Sequence, residues 1–183
     1  MPTMTLELGD KAVNFSLPNA NKNVGGESLN LENSKRSNGL VVVFECNHCP
    51  YVVASVERMN DLANFCTENN LGFVGINSND ASVYANDSYE HMVKRADKGM
   101  PYPYLYDESQ TVAHAYGAKR TPEFFLFDNT NALVYRGRMD DSPKDPSQVS
   151  STDLKDAIDA MLSGSAIEVR ETESIGCSVK WKV

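Results

Sequence analysis

The sequence predicts an α/β sandwich built as one domain, and three observations carry that prediction. Short apolar runs rich in β-branched residues alternate with stretches of helical periodicity. The first full run, Leu40 to Phe44, follows Gly39 and is apolar throughout, as in a strand buried on both faces. A chain of 183 residues with 41% hydrophobic side chains also buries a sufficient core without disulfides or metal. Its four cysteines are therefore free for chemistry.

Each element follows in order. From Gly9 to Ser37, apolar pieces at Val13, Phe15 and Leu17 and at Leu29 and Leu31 flank turn residues at Pro18 to Asn23 and Gly25-Gly26. This pattern reads as a hairpin, with residues 1–38 an N-terminal extension of a single domain spanning 1–183. After the strand at Leu40, apolar residues at Val52, Val56, Met59, Ala63 and Cys66 define one helical face. Leu71 to Ile76 reads as a second buried strand. Ser88 to Lys98 reads as a polar helix stopped by Gly99 and Pro101, and Gln110 to Tyr116 as a short one stopped by Gly117. Phe124 to Phe127 and Leu133 to Tyr135 flank turn chemistry at Asp128 to Asn131 and form a hairpin. Ser150 and Asp153 are expected to cap a last helix with the stripe Leu154, Ala157, Ile158, Met161 and Leu162, leaving residues 165–183 as a tail.

Charge and hydropathy exclude whole classes. A net charge of -8 and a pI near 4.9 argue against a nucleic-acid partner, whose phosphates are neutralised by clustered Lys and Arg. The longest purely apolar run is far short of the ~18 residues of a membrane span, so no membrane association is expected. Met1 to Asp10 carries acids and lacks the basic start and apolar core of a secretory signal. The expected compartment is the cytoplasm, where paired cysteines tend to be catalytic or metal-binding.

The chemistry is carried by Cys46-Asn47-His48-Cys49, directly after a buried strand and opening a helix. Unpaired amides and the helix dipole favour a thiolate there, so Cys46 is expected to be the solvent-facing nucleophile with a depressed pKa. Cys49, further along the apolar stripe, is expected to be the buried resolver. Glu45 should raise the Cys46 pKa by repulsion, and His48 should oppose it.

With these residues in place, the sequence resembles the thioredoxin superfamily, and within it the alkyl hydroperoxide reductase/thiol-specific antioxidant-like (redoxin-like, peroxiredoxin-like) branch. The resemblance runs from Leu8-Gly9-Asp10 and Asn14-Phe15-Ser16-Leu17 through Cys46 to Tyr51, Tyr104-Leu105-Tyr106-Asp107, Ala115-Tyr116-Gly117 and Thr121-Pro122-Glu123 to Gly176-Cys177-Ser178-Val179-Lys180-Trp181. It implies a thioredoxin-like three-layer α/β/α sandwich with a mixed sheet of four or five strands. It also implies a cis Pro122 facing the cysteines and a Thr121 backbone that pairs with an incoming substrate strand. The implied activity is thiol:disulfide exchange through a Cys46/Cys49 dithiol, with no cofactor, a protein or small-molecule disulfide as substrate and an electron donor that the sequence does not name.

One alternative is a peroxiredoxin-like thiol peroxidase. If Cys49-Pro50 is laid on that family's peroxidatic Cys-Pro, Cys46 stands at its Thr/Ser position, Val42 at its Pro and Thr121-Pro122 near its Arg, which disfavours peroxide activation. Another alternative is a non-catalytic binding module or a zinc site built on Cys46, Cys49 and His48.

Other residues have plainer expectations. Cys66 packs in the core, while His91 and His114 are solvated or locally bonded. Tyr102, Tyr104 and Tyr106 pack one face of an extended segment. Asp140, Asp141 and Asp145 lie in a solvated loop, and no metal is expected there. If the last hairpin pairs residues whose numbers sum to about 260, Arg138 faces Pro122 and the chain from Arg138 to Asp141 lines the site's rim. In the tail, Cys177, Val179, Trp181 and Val183 alternate with polar residues, so the segment reads as half-buried and extended. Cys177 is then either the small member of an apolar face or a third thiol of the redox circuit.

Overall fold

The computed structural model describes residues 6–183, so the N-terminal reading of residues 1–5 lies outside the described residues. Strands β1 (Ser16–Pro18) and β2 (Ser28–Asn30) pair antiparallel, with Leu17 opposite Leu29, as the Gly-rich turn predicts. Helix α1 (Leu31–Ser34), which the sequence reading lacks, is a single turn closed by a reciprocal Asn30/Asn33 capping box.

The apolar run becomes β3 (Leu40–Phe44), buried along its length, and leads through the cysteine loop into α2 (Pro50–Glu68). Next come β4 (Gly72–Asn77), α3 (Tyr89–Ala96), β5 (Tyr104–Tyr106) and α4 (Thr111–Tyr116). The two-residue strand β6 (Arg120–Thr121), β7 (Glu123–Phe127), β8 (Leu133–Gly137), α5 (Asp153–Ser163) and the two-residue β9 (Cys177–Ser178) complete the chain.

The central sheet has five strands in the order β5-β4-β3-β7-β8, parallel from β3 to β5 and antiparallel at β7 and β8. Strand alternation divides its residues between two cores. Val41 and Val43 face one cluster with Val52 and Met59 of α2, Met92 of α3 and Leu154 and Ile158 of α5. Leu40, Val42 and Phe44 face the other, with Leu31 of α1 and Val112 and Tyr116 of α4. The fold is thus a three-layer α/β/α sandwich, as expected. No helix among the described residues is long and apolar enough to cross a membrane.

Three local expectations are corrected. The N-cap position of α5 is held by Thr152, which makes no side-chain cap bond, and Ser150 lies outside the helix with its hydroxyl donating to the Asp141 carboxylate. The last hairpin has the expected register, with Phe124 facing Gly137 and Phe127 facing Leu133 across a bulge, but β8 stops at Gly137. Arg138 therefore leaves the ladder instead of meeting Pro122, and its guanidinium pairs with Asp153 at 2.7 Å, at the start of α5. Asp140 is buried and pairs with Arg58 at 2.7 Å, so it is not a solvated loop residue.

Candidate active site

Parallel pairing of β3 with β4 delivers Glu45 and Cys46 at the carboxyl end of the sheet, where open α/β sheets place their sites. Helix α2 begins only at Pro50, with Cys49 as its N-cap, so Cys46 lies in the loop before the helix. The solvent-facing Cys46 of the sequence reading is corrected: Cys46 is 1% exposed and Cys49 0%. The Thr121–Pro122 peptide is cis, and Thr121 meets both sulfurs. Its Oγ1 lies 3.6 Å from Cys46 Sγ, and its carbonyl accepts from Cys49 Sγ at 3.4 Å.

The two cysteines titrate as a pair. The neighbouring Cys46 thiol pushes Cys49 down to about 4, against the opposing effect of burial. Cys46 is pushed up by Cys49, by burial and by the carboxylate of Asp87, not down as expected. The pair therefore gives up its first proton easily and its second with difficulty.

Asp87 replaces Glu45 as the acid that acts on Cys46. Glu45 is buried, with Arg95 Nη2 2.5 Å from its Oε1 and the Tyr102 hydroxyl donating to its Oε2 at 2.8 Å. Gly75 on β4 makes room for it, since a β-carbon there would overlap the Glu45 carboxylate. Arg95 also donates to the Cys46 carbonyl at 3.2 Å and covers the Tyr104 ring, whose hydroxyl reaches Asn47 Oδ1 at 2.7 Å. The tyrosine ladder thus packs as expected and also braces the cysteine loop.

His48 is turned onto Asp87, its Nδ1 2.5 Å from Oδ2, and stacks on Tyr84. Asp87, fully buried, also accepts from the Asn47 amide at 2.8 Å and from Asn79 Nδ2 at 2.9 Å. Ligand atoms of Cys46, His48 and Asp87 all lie within 4.8 Å of one another, a set able to hold a metal ion such as zinc.

The tail reaches the same place. Strand β9 pairs antiparallel with β6, Cys177 standing opposite Thr121. Cys177 is half-buried and packs against the cluster that contains Cys46 and Cys49. Cys66 is remote from this chemistry in the core, its thiol pushed up to about 12 by burial. His91 bonds Ser88 locally and His114 is exposed, both as expected, and the His114 ring also stacks on Trp181 of the tail at 4.2 Å.

Asp87, Arg95 and the hydroxyls of Tyr102 and Tyr104 escape the sequence reading. One signal was present: a carboxylate directly after a fully buried strand needs a cationic partner. It implies a buried Arg or Lys without saying which.

The Redoxin family profile matches residues 7–154, a span that contains β1 to β8, the cysteine pair and Thr121-Pro122. The chain belongs to the Redoxin family. Among solved structures, this Redoxin chain is similar to an uncharacterized conserved protein from Geobacillus kaustophilus, at 42% identity and TM-score 0.89 over 100% of this chain and 97% of that one. It is similar to a hypothetical protein from Sinorhizobium meliloti at 39% identity and TM-score 0.89, over 98% and 97% of the two chains. A structure assigned provisionally as the thiol:disulfide interchange protein DsbE from Chlorobium tepidum shares the fold at 19% identity and TM-score 0.66, over 86% of this chain and 99% of that one. No curated protein matches. Family and neighbours together support a thioredoxin-like redox function for this Redoxin protein.

Proposed function

We propose that the protein is a thiol:disulfide oxidoreductase in which the Cys46/Cys49 dithiol exchanges with disulfide substrates. The observation that carries this reading is the meeting of both sulfurs at Thr121 of a cis Thr121–Pro122 peptide. A thiolate on one sulfur attacks the substrate disulfide and forms a mixed disulfide. The second sulfur then attacks the first, releases the reduced substrate and closes Cys46 to Cys49. The easy first proton of the pair supplies the thiolate. The substrates on this reading are protein or small-molecule disulfides, an external thiol restores the dithiol, and the compartment is the cytoplasm. Peroxidase chemistry has weaker support. Arg95, which reaches the Cys46 carbonyl, is spent on buried Glu45 and is not free to grip a peroxide.

Reduction of insulin disulfides with dithiothreitol as donor tests the reading. The wild type should turn over, and Cys46→Ala and Cys49→Ala should each lose about a hundredfold or more in rate. Consumption of hydrogen peroxide with no insulin reduction would replace the reading with the peroxidase. A second reading rests on the ligand cluster of Cys46, His48 and Asp87. Stoichiometric zinc in the purified protein, lost in Asp87→Asn, would favour it.

A further inference from the structure

The tail docks on the short strand that leads into the cis Thr121–Pro122 peptide. Thr121 and Arg120 offer an edge to an antiparallel partner, and Cys177 and Ser178 take it. The approach is close: a β-carbon on Gly176 would overlap the Thr121 carbonyl and press on Pro122, so only glycine fits there. The docking continues beyond the strand pair. The Val179 amide donates to the Lys119 carbonyl at 2.9 Å, Lys180 is held by Asn79 and Gln110, and Trp181 stacks on His114. These contacts tie the tail down, and its one cysteine stands beside the pair while retaining access to solvent that Cys46 and Cys49 lack.

We propose that Cys177 is a third redox cysteine that carries disulfide character between the buried Cys46/Cys49 pair and the surface, docked by β9 as a built-in substrate strand. The step is an internal exchange and rests on the oxidoreductase reading above. The Cys177 sulfur attacks Cys49 in the Cys46–Cys49 disulfide, and a Cys49–Cys177 bond forms. The bond to Cys46 breaks, its electron pair stays on Cys46, and the proton of Cys177 ends there. No electrons enter or leave in this step. An external thiol, the donor class already named, then attacks Cys177 at the surface and frees Cys49; a second donor thiol resolves the resulting mixed disulfide, so that two electrons enter in all. Proximity favours the pairing, because Cys177 packs against the buried cluster that holds Cys49 and stands opposite Thr121, whose carbonyl accepts from Cys49 Sγ.

Oxidation by oxidised glutathione followed by peptide mapping separates the outcomes. Cys46→Ser should close a Cys49–Cys177 disulfide, and the oxidised wild type should show that linkage beside Cys46–Cys49. Cys177→Ser should still form Cys46–Cys49, but its re-reduction by a protein thiol donor should slow about tenfold. Cys177→Ala should behave alike, which separates loss of the thiol from any effect of a new hydroxyl. Cys46–Cys49 as the sole linkage, with no Cys49–Cys177 bond in Cys46→Ser and re-reduction unchanged or faster in both Cys177 variants, overturns the relay and leaves the oxidoreductase reading standing. Absence of Cys46–Cys49 linkage in the wild type and in both Cys177 variants, with no insulin reduction, removes that reading and the relay with it.

Discussion

Removing the sulfur of Cys46 changes what Cys49 can do. The Cys46 thiol is the largest influence lowering Cys49, and burial opposes it. In Cys46→Ala, therefore, the low titration should disappear and the thiolate should emerge only toward the ordinary thiol range near about 8.5. Ultraviolet thiolate absorbance against pH reads this directly, and a curve identical to wild type contradicts it. Arg95 has a similar standing toward Glu45. Arg95→Met leaves a buried carboxylate without its cation and should cost about 3 to 5 kcal/mol in urea unfolding. Recovery of part of that loss by Glu45→Gln in the same chain would tie it to the unpaired charge, and a loss within experimental error would remove Arg95 from this role. At this scale the sequence was legible where spacing encodes geometry. Cys46 and Cys49 could be named because a Cys-x-x-Cys between a buried strand and a helix carries its chemistry in its spacing, and Thr121 and Pro122 because they match a motif of the superfamily the sequence resembles. Asp87 and Arg95 could not, since a loop and a polar helix remote in the chain bring them to the site. Nor could the sequence say that Glu45 would turn away from Cys46 into a space left by Gly75.

The elements differ in how firmly their patterns commit them. Strand β3 and helix α2 have strong periodicity and formed as expected, whereas the single turn of α1 is set by two side-chain caps, Asn30 and Asn33, rather than by an apolar stripe. The tail strand β9 is short, and its position depends on long-range contacts that alternation alone does not reveal. Gly176→Ala should undock it, because the added methyl overlaps backbone rather than a movable side chain. Amides of residues 179–182 should then exchange faster with deuterium, and Trp181 fluorescence should shift as the ring leaves His114. Unchanged exchange would mean that the approach at Thr121 does not anchor the tail. The opposite expectation applies to α5. Arg138 is spent on Asp153, partly exposed, so Arg138→Ala should cost about 1 kcal/mol or less and leave insulin reduction as it was. A large fall in turnover would restore Arg138 to the rim of the site.

Across the whole molecule, the five-stranded sheet is packed on both faces, and the Cys46/Cys49 pair sits at its carboxyl end under the tail. This architecture was legible because one domain's alternation of strand and helix leaves few layer arrangements; the tail's destination was not, because nothing local fixes it. Redox state should couple to stability through the pair. The folded pKa of Cys49 lies below its unfolded value, so its contribution is present above the ordinary thiol range and is lost as pH falls toward about 4. The raised pKa of Cys46 acts oppositely, and its contribution is lost as pH rises above the ordinary range. The stability of the reduced form relative to the oxidised form should therefore rise from about pH 4 toward about 8.5 and fall beyond it. Thermal unfolding of both forms across that range checks the sign, and a difference independent of pH contradicts it.

The central claim is that the dithiol reacts with disulfides. It is tested most directly by mixing the reduced protein, in parallel, with equimolar insulin and equimolar hydrogen peroxide, then quenching with acid and mapping the cysteines over time. The account predicts that insulin drives loss of two thiols per chain, with the resulting disulfide at Cys46–Cys49 or passed on to Cys49–Cys177, well before peroxide does so. Rapid oxidation of Cys46 or Cys49 by peroxide, with both left reduced by insulin, would contradict it.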